Sequence, residues 1–244
     1  MDDYRASLDR LQRWLDESNN VVFFGGAGVS TESGVPDFRS RDGLYSQTWK
    51  YPPETILSHD FFVEKTADFY AFYKQKMLFL DVKPNAAHKK LAELEQAGKL
   101  TAVITQNIDG LHQAAGSKNV LELHGSVHRN YCTRCGRFHD VQFVKNSVGV
   151  PLCACGGVVK PDVVLYGESL DGPTLEKAVE ALGSADLLLI GGTSLAVYPA
   201  AGLIQYFGGD RLVLLNRDVT PYDRRASLCI REPIGRVLGQ IKVR

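Results

Sequence analysis

The chain has 244 residues, of which 44% are hydrophobic and 23% charged, as is ordinary for a globular protein. Its 28 Lys and Arg residues balance 28 Asp and Glu residues, which argues against the broad basic surface that direct nucleic-acid binding requires. The apolar runs are no longer than a strand, so no membrane-spanning helix is expected. The polar start of the chain does not resemble an export signal, and we expect a cytoplasmic protein that does not use a membrane.

An amphipathic helix is predicted first, with Leu8, Leu11 and Leu15 on one face. Five short apolar runs follow, and their lack of alternation is typical of strands buried on both faces of a parallel sheet. The runs are 21–24, 102–105, 163–166, 187–190 and 212–215. Helical stretches that end near glycines lie at 84–97, 108–115, 175–182 and 198–207. This alternation predicts an α/β fold with a Rossmann-like, doubly wound parallel sheet.

Two segments interrupt the alternation of strands and helices. Residues 40–80 are rich in aromatic residues and have a helical pattern, whereas residues 128–157 contain four of the five cysteines. We expect both segments to form one smaller module beside the main sheet, with a helical part and a metal-binding part. The main domain would then consist of residues 1–39, 81–127 and 158–244.

A turn of small residues, Gly25-Gly26-Ala27-Gly28, follows the first predicted strand. Backbone N–H groups in such a turn can approach a pyrophosphate. The dehydrogenase fingerprint needs a further glycine where Thr31 stands, and an acidic residue about 20 residues later that this chain lacks. The turn therefore indicates either a plain strand-to-helix connection or a nucleotide held differently from the cofactor of a hydride-transfer enzyme.

Four cysteines form two close pairs with 17 residues between the pairs, a spacing close to that of a zinc ribbon. They are Cys132, Cys135, Cys153 and Cys155. Four thiolates make a closed tetrahedral site, so this zinc would be structural. Because the second pair encloses one residue where two are usual, His128 or His139 remains an alternative ligand. Buried free thiols are the other interpretation.

Polar side chains crowd onto the turn after the second predicted strand, in the run TQNIDGLH at 105–112. A helix cap would account for Asn107 or Asp109, but not for several polar residues in succession. Another short strand is predicted to end at His124, between this turn and the cysteine module. A lone histidine is more often structural, yet one at this place could act as a general base near neutral pH.

These motifs together resemble those of the sirtuin family, the NAD-dependent protein deacylases. The run 26–39, GAGVSTESGVPDFR, is similar to the family signature. Further similar motifs occur in the family's order over nearly the whole chain, namely 105–112, Leu123-His124-Gly125, the four cysteines, Gly192-Thr193-Ser194 and Leu215-Asn216. The resemblance implies an enzyme that transfers an acyl group, chiefly acetyl, from a protein lysine to ADP-ribose and releases nicotinamide.

The resemblance also implies which residues bind NAD. They are Ala27, Gly28, Ser30, Asp37, Phe38, Arg39, Gln106, Asn107, Ile108, Asp109, Gly192, Thr193, Ser194 and Asn216. Within this set, Asn107, Ile108 and Asp109 would line the nicotinamide pocket. Phe38 would shield the reacting face from water, and Arg39 would reach the phosphates or the nearby ribose.

The same resemblance assigns the chemistry and the protein substrate. His124 would deprotonate a ribose hydroxyl, with Asn107 as the second catalytic residue. An acylated-lysine peptide would add as a strand between 163–168 and 192–198, and Val163, Leu165 and Tyr166 would contact it. One zinc per chain, held by the four cysteines, would take no part in the reaction.

Three features depart from the family pattern. Gly25 stands where Thr is common, and the Cys153-x-Cys155 pair is short, which together favour a distinct bacterial branch. Tyr73 and Lys76 stand where members that remove succinyl or malonyl groups have a Tyr-x-x-Arg pair, and their spacing would let both face the acyl pocket. The favoured alternative is an ordinary amphipathic helix with a solvated lysine. Because lysine lacks the fork of a guanidinium, we expect deacetylation with weak activity on acidic acyl groups.

Two other functions remain open from the sequence. A mono-ADP-ribosyltransferase would use the same pocket with another nucleophile. A catalytically silent NAD- or peptide-binding module on a zinc scaffold is the second alternative, although the presence of Asn107, Asp109 and His124 argues against it.

Overall fold

The computed structural model describes residues 2–38, 43–44 and 49–244. Nine strands are found in this part of the chain. They are β1 (Val21–Gly25), β2 (Leu100–Thr105), β3 (Val120–Glu122), β4 (Gly125–Cys132), β5 (Phe138–His139), β6 (Val159–Val163), β7 (Leu187–Gly191), β8 (Leu212–Leu215) and β9 (Leu228–Ile230). They form two sheets, one with six parallel strands and one with three antiparallel strands.

Nine α-helices occur in the same described residues. They are α1 (Asp2–Glu17), α2 (Pro53–Ile56), α3 (His59–Glu64), α4 (Thr66–Lys76), α5 (Ala86–Gln96), α6 (Leu111–Ala115), α7 (Val141–Asn146), α8 (Gly172–Ser184) and α9 (Ile234–Leu238). Short 3₁₀ helices occur at Ala27–Val29, Thr31–Ser33 and Ala200–Tyr206. None of the helices in the described ranges combines the length and the apolar character needed to cross a membrane.

The large sheet has the strand order β3-β2-β1-β7-β8-β9. Every residue of β1 and β7 is buried, since alternate side chains of each strand enter two separate cores. Val21 and Phe23 pack on one face, where α1, α5 and α9 cover the sheet. Val22 and Phe24 pack on the other, which α8 covers together with the helix at Ala200–Tyr206. The predicted Rossmann-like sheet and its first amphipathic helix are confirmed.

Strand order reverses beside β1, because the chain runs outward from it through β2 and β3 and returns on its other side at β7. In open parallel sheets, ligands bind at the carboxyl ends of strands flanking such a point. Gly25 pairs with Gly191 there, so the turns after β1 and β7 lie side by side.

The prediction of one strand of the large sheet is wrong. The run 163–166 does not join it: Val163 ends β6, which pairs antiparallel with β4, and Tyr166 forms a single bridge with Ser58. Its apolar residues are buried against the small module, and an apolar run does not reveal which core will bury it. The predicted helix at 198–207 is the 3₁₀ helix Ala200–Tyr206, and α8 continues through Gly183.

The small module contains β4, β5 and β6, with α2, α3 and α4 packed nearby. Its core is aromatic, built by Phe69, Tyr70, Phe72 and Tyr73 of α4 against the small sheet. Strand β4 begins before residue 128 and β6 ends after residue 157, so the small sheet extends beyond the limits predicted for the module. We retain the two-module division as a proposal, with the small module extended to these strand ends.

Candidate active site

A cavity of about 890 Å³ lies at the carboxyl edge of the large sheet, where it faces the small module. The predicted NAD-binding residues that line it are Ala27, Gly28, Ser30, Asp37, Phe38, Gln106, Asn107, Ile108, Asp109, Gly192, Thr193, Ser194 and Asn216. His124 and the predicted peptide contacts Val163, Leu165 and Tyr166 line the same cavity. Residues from distant parts of the sequence therefore meet around one space large enough for a dinucleotide and a side chain.

The two glycine turns touch through their backbones. The amide of Gly28 donates to the carbonyl oxygen of Gly192 over 2.7 Å. A Cβ atom on Gly28 would lie 2.7 Å from the Cα atom of Gly192, and Gly192 has a φ of +58°, which favours glycine. The contact leaves no room for side chains, so the cavity has a floor of backbone on which a phosphate group can approach closely.

Ser30, Asn107 and Asp109 form one hydrogen-bonded group. The Ser30 hydroxyl donates to Asp109 Oδ2 over 2.6 Å and accepts from Asn107 Nδ2 over 3.1 Å. The other carboxylate oxygen of Asp109 accepts from the backbone N–H of Leu111 over 2.9 Å, at the start of α6. Asp109 therefore binds the start of α6 and also lines the cavity.

Two buried histidines lie beside this group, and the sequence analysis assigned a role to neither. His88 Nδ1 accepts from the Asn85 backbone N–H over 3.3 Å in a capping box of α5, while Nε2 lies 3.5 Å from the Ser30 hydroxyl. The His112 ring lies 4.7 Å from that of His88. Burial lowers the pKa of His88, against an opposing effect of the Asp109 charge, and lowers the pKa of His112 to about 3. The helix-start pattern Asn85-x-x-His88 was the available signal.

His124 has the geometry of a general base. Its Nδ1 lies 2.9 Å from the carbonyl oxygen of Gln106, which can only accept, so Nδ1 carries the proton and Nε2 has a free lone pair. Burial lowers the pKa of His124 and outweighs the raising effect of that hydrogen bond. The imidazole is therefore neutral and able to accept a proton at neutral pH. The His124 carbonyl oxygen also accepts from Val164 N–H over 3.1 Å, which joins the base to the segment after β6.

The segment after β6 is held by a charged residue that the sequence analysis did not identify. Glu168 Oε2 accepts from the Leu165 backbone N–H over 2.9 Å and from Lys160 Nζ over 3.1 Å, and Oε1 lies 2.9 Å from His59 Nδ1. Burial alone would raise the pKa of Glu168, but these hydrogen bonds and the Lys160 charge lower it. Tyr166 keeps 42% of its surface exposed at the cavity mouth.

The four cysteines meet at one point of the small module. Their sulfur atoms all lie within 4.8 Å of one another, as one tetrahedral metal ion requires, and four soft thiolates without an open position fit a structural zinc. Neither alternative ligand belongs to this cluster: His128 Nε2 instead contacts the Asp109 carbonyl oxygen over 3.0 Å, and the His139 ring packs on Phe143 at 4.2 Å. The short second pair therefore still brings both its sulfurs to the site.

The chain is similar in sequence and in structure to known proteins of one family. Residues 26–199 match the model of the Sir2 family. The chain belongs to the Sir2 family. It is 57% identical over 238 residues to an NAD-dependent protein deacetylase of Clostridium acetobutylicum, covering 96% of this chain and 97% of the relative. A protein of the same description from Staphylococcus aureus is 45% identical, with 97% of this chain and 98% of that protein covered.

Solved Sir2 structures have the same fold. A Sir2 variant with deacetylated p53 peptide and 3′-O-acetyl-ADP-ribose has a TM-score of 0.88 and 41% identity, with 95% of each chain covered. A Sir2 complex with p53 peptide and NAD⁺ has a TM-score of 0.85 at the same identity and coverage. The resemblance to sirtuins found in the sequence is thus confirmed.

The two predicted acyl-pocket residues of α4, Tyr73 and Lys76, lie in different surroundings. Lys76 lines the cavity, with Nζ 5.2 Å from the centre of the Trp49 ring. Tyr73 does not: it is fully buried and stacks on Phe69 at 5.4 Å, because it continues the aromatic face with which α4 packs on the small module. The prediction that Tyr73 and Lys76 face the pocket together is therefore wrong for Tyr73. Arg39 lies outside the described residues.

Proposed function

We propose that this chain is an NAD-dependent protein-lysine deacylase, chiefly a deacetylase, which transfers the acyl group to ADP-ribose and releases nicotinamide. The main support is that the neutral His124 ring has an unprotonated Nε2 and lines the same cavity as the paired glycine turns. The description of the bacterial relatives as NAD-dependent protein deacetylases supports this proposal. So do the Sir2 complexes that hold p53 peptide with NAD⁺ or acetyl-ADP-ribose.

NAD is proposed to bind along the whole cavity, with adenosine and phosphates near Ala27, Gly28, Ser194 and Asn216. The close approach of the glycine turns supports this placement, since their backbone is free of side chains. Gln106 supports the ribose end, because its side-chain nitrogen is buried without a hydrogen-bond partner in the described part of the chain. An unpaired buried amide costs stability unless a ligand pairs with it.

The remaining NAD contacts are proposals of the same kind. They comprise Ser30, Asp37, Phe38, Arg39, Asn107, Ile108, Asp109, Gly192 and Thr193. Of these, Asn107 and Asp109 gain most support from the structure, since the Ser30 hydroxyl holds both side chains beside the cavity. That hydrogen bonding fixes their orientation before a ligand arrives, which lowers the entropic cost of binding.

NAD supplies the ribose carbon to which the acyl oxygen bonds as nicotinamide leaves. The residues of the chain then have separate tasks. His124 accepts a proton at Nε2 from a ribose hydroxyl, and its Nδ1–H bond to the Gln106 carbonyl oxygen keeps the ring in the required tautomer. Asn107 orients the reacting groups, and Phe38 excludes water.

The protein substrate is proposed to be an acylated-lysine peptide in extended conformation. It would add as a strand between 163–168 and 192–198 and be recognised mainly through backbone hydrogen bonds. Val163, Leu165 and Tyr166 would contact it, supported by their position along the cavity. Because backbone hydrogen bonds are the same for any peptide sequence, we expect weak selectivity for the sequence around the acylated lysine.

One structural zinc per chain is proposed at the four cysteines, with no role in the reaction. None of the five cysteines, all of which the structure describes, forms a disulfide, which supports a cytoplasmic location. The equal numbers of acidic and basic residues support a function without direct nucleic-acid or membrane binding.

The proposed function is tested by nicotinamide release from NAD in the presence of an acetyl-lysine peptide or its unmodified counterpart. We expect release only with the acetylated peptide, together with loss of its acetyl group. Equal nicotinamide release with both peptides, together with protein labelled by ADP-ribose, would instead establish a mono-ADP-ribosyltransferase. NAD binding without any release would establish a silent binding module.

A further inference from the structure

Strand β4 contains a bulge beside the proposed active site. Ser126 pairs with Asp162 of β6, whereas Asn130 pairs with the adjacent Pro161, so residues 127–129 have no strand-pairing partner on β6. Bulges often occur next to active sites, where they redirect side chains. We call residues 127–129 the β4 bulge.

One side of the β4 bulge holds the turn after β2. The Val127 backbone N–H donates to the Ile108 carbonyl oxygen over 3.0 Å. His128 Nε2 donates to the Asp109 carbonyl oxygen, also over 3.0 Å. The His128 ring lies so close to Gly110 that a Cβ atom there would be 2.8 Å from it, which requires glycine at this position. Two hydrogen bonds and one tight contact therefore fix the backbone of the turn.

The other side of the β4 bulge connects both sheets through Arg129. Its Nε donates to Asp162 and its Nη1 donates to Glu122, each over 2.7 Å. Glu122 ends β3 two residues before His124, and Asp162 precedes Val163. The Glu122 side chain is only 9% exposed, so this ion pair is screened less than a surface pair. Arg129 thus fixes the strand ends on both sides of His124.

We propose that the β4 bulge is the positioning element of the active site, with His128 and Arg129 as positioning residues. His128 sets the backbone of the 107–109 turn, and Arg129 sets the separation between His124 and the peptide-binding segment. Neither residue lines the cavity, so both act through the residues they hold. The inference deepens and rests on the proposed function, because the turn it supports is the proposed nicotinamide pocket.

The test for His128 compares His128→Ala with His128→Gln, whose side-chain nitrogen can replace Nε2. We expect His128→Ala to raise both the KM for NAD and the inhibition constant of nicotinamide about fivefold, the effect of one lost hydrogen bond. His128→Gln should restore both values, and the KM for acetyl-peptide should hardly change. Equal losses in both variants, or no change in either, would overturn the role of His128.

Arg129 is tested by the same assay with Arg129→Met and Arg129→Lys. Arg129→Met should lower kcat about fivefold, because loss of the charge releases the two strand ends whose separation Arg129 sets. Arg129→Lys should recover part of this loss. The control is Arg211→Met, which removes an arginine of similar exposure that pairs with the more exposed Glu17, away from the cavity. A loss of kcat as large in the control, or none in Arg129→Met, would contradict the role of Arg129.

Hydrogen exchange separates this inference from the proposed function, since it needs no activity. Exchange of the amides at 106–111 should be faster in His128→Ala than in the unaltered chain, with the strands of the large sheet unchanged. Unchanged exchange at 106–111 would refute the inference whatever the enzyme does. An unaltered chain that releases no nicotinamide would refute the proposed function alone.

Discussion

The two sheets of this molecule are stabilised in different ways. In the large sheet, β1 and β7 are buried throughout and helices cover both faces. In the small sheet, β5 has two residues, of which Phe138 is 53% exposed, and four thiols meet beside strand β4. Apolar burial on both faces stabilises the large sheet, whereas the small sheet has beside its aromatic core a thiol cluster that can hold a metal ion.

This difference predicts that substitutions at the edge of the large sheet change activity without changing stability. Substitutions of the cysteines beside the small sheet should change both. The residues at the edge of the large sheet are free to serve the reaction, because the core behind them is complete without them. We expect the cysteines to have no such freedom, since the folding of a module that holds a structural ion is linked to binding of that ion.

The largest expected effect is that of His124→Ala. Removing the general base should lower kcat by about 10²- to 10⁴-fold. NAD affinity and the melting temperature should stay close to their original values, because His124 contributes one hydrogen bond to the fold. His139→Ala, a histidine substitution away from the cavity, serves as the control. Unchanged turnover in His124→Ala would remove this residue from the mechanism.

Metal removal should have the next largest effect. We expect one zinc per chain by elemental analysis, and chelation or Cys153→Ser should unfold the small module and abolish activity together. Circular dichroism and deacetylation measured on the same sample would follow both losses. Cys229→Ser is the matched control, because Cys229 lies in β9 and outside the thiol cluster. A folded, active and metal-free protein would show that both sheets are stabilised alike.

A smaller effect is expected from acid. Burial lowers the pKa of His112 in the folded chain to about 3, from its ordinary value of 6.5. Between these two pH values, the His112 side chain is protonated in the unfolded chain and neutral in the folded chain. The free energy of unfolding should therefore fall as pH drops below about 6.5, by up to about 1.4 kcal/mol per pH unit for this group.

The variant His112→Phe isolates this effect. Both ring nitrogens of His112 lack partners among the described residues and the ring packs near Phe23, so an apolar ring fits the site. Denaturant unfolding at several pH values should show a shallower pH dependence in His112→Phe, with stability at neutral pH maintained. An identical slope in both proteins would contradict the neutral state of His112.

The smallest expected effect concerns Lys76. Catalytic efficiency should be higher on acetyl-lysine than on succinyl-lysine peptide, because Lys76 is left without Tyr73 at the cavity. Lys76→Met should lower the succinyl activity about two- to fivefold, the contribution of one exposed ion pair, and spare the acetyl activity. Lys83→Met is the control. Equal or better efficiency on succinyl-lysine peptide in the unaltered chain would overturn this preference.

Most of the large sheet was predictable because its strands are short apolar runs, two of which, β1 and β7, end in glycine turns. The run at 163–166 was misassigned for a physical reason: burial in the small module and burial in the large sheet require the same apolar side chains. Tyr73 was misplaced similarly, since spacing puts it near Lys76 along α4 without showing how far the aromatic core extends around the helix.

Within the site, the predicted NAD-binding residues all line the cavity, apart from Arg39, which lies outside the described residues. His88, His112 and Glu168 could not be identified from their spacing, because each acts through contacts with residues distant in sequence or in a neighbouring element. Only the capping pattern of Asn85 and His88 carried a local signal. Supporting residues of this kind become visible when the packing is known.

The most direct test of the proposed chemistry follows the acyl group itself. A peptide with an isotope-labelled acetyl-lysine is incubated with the chain and NAD, and the products are separated by mass. We predict that the label appears on ADP-ribose, with one labelled acetyl group transferred for each nicotinamide released. Label recovered directly as free acetate, or ADP-ribose attached to protein without acetyl transfer, would contradict the account.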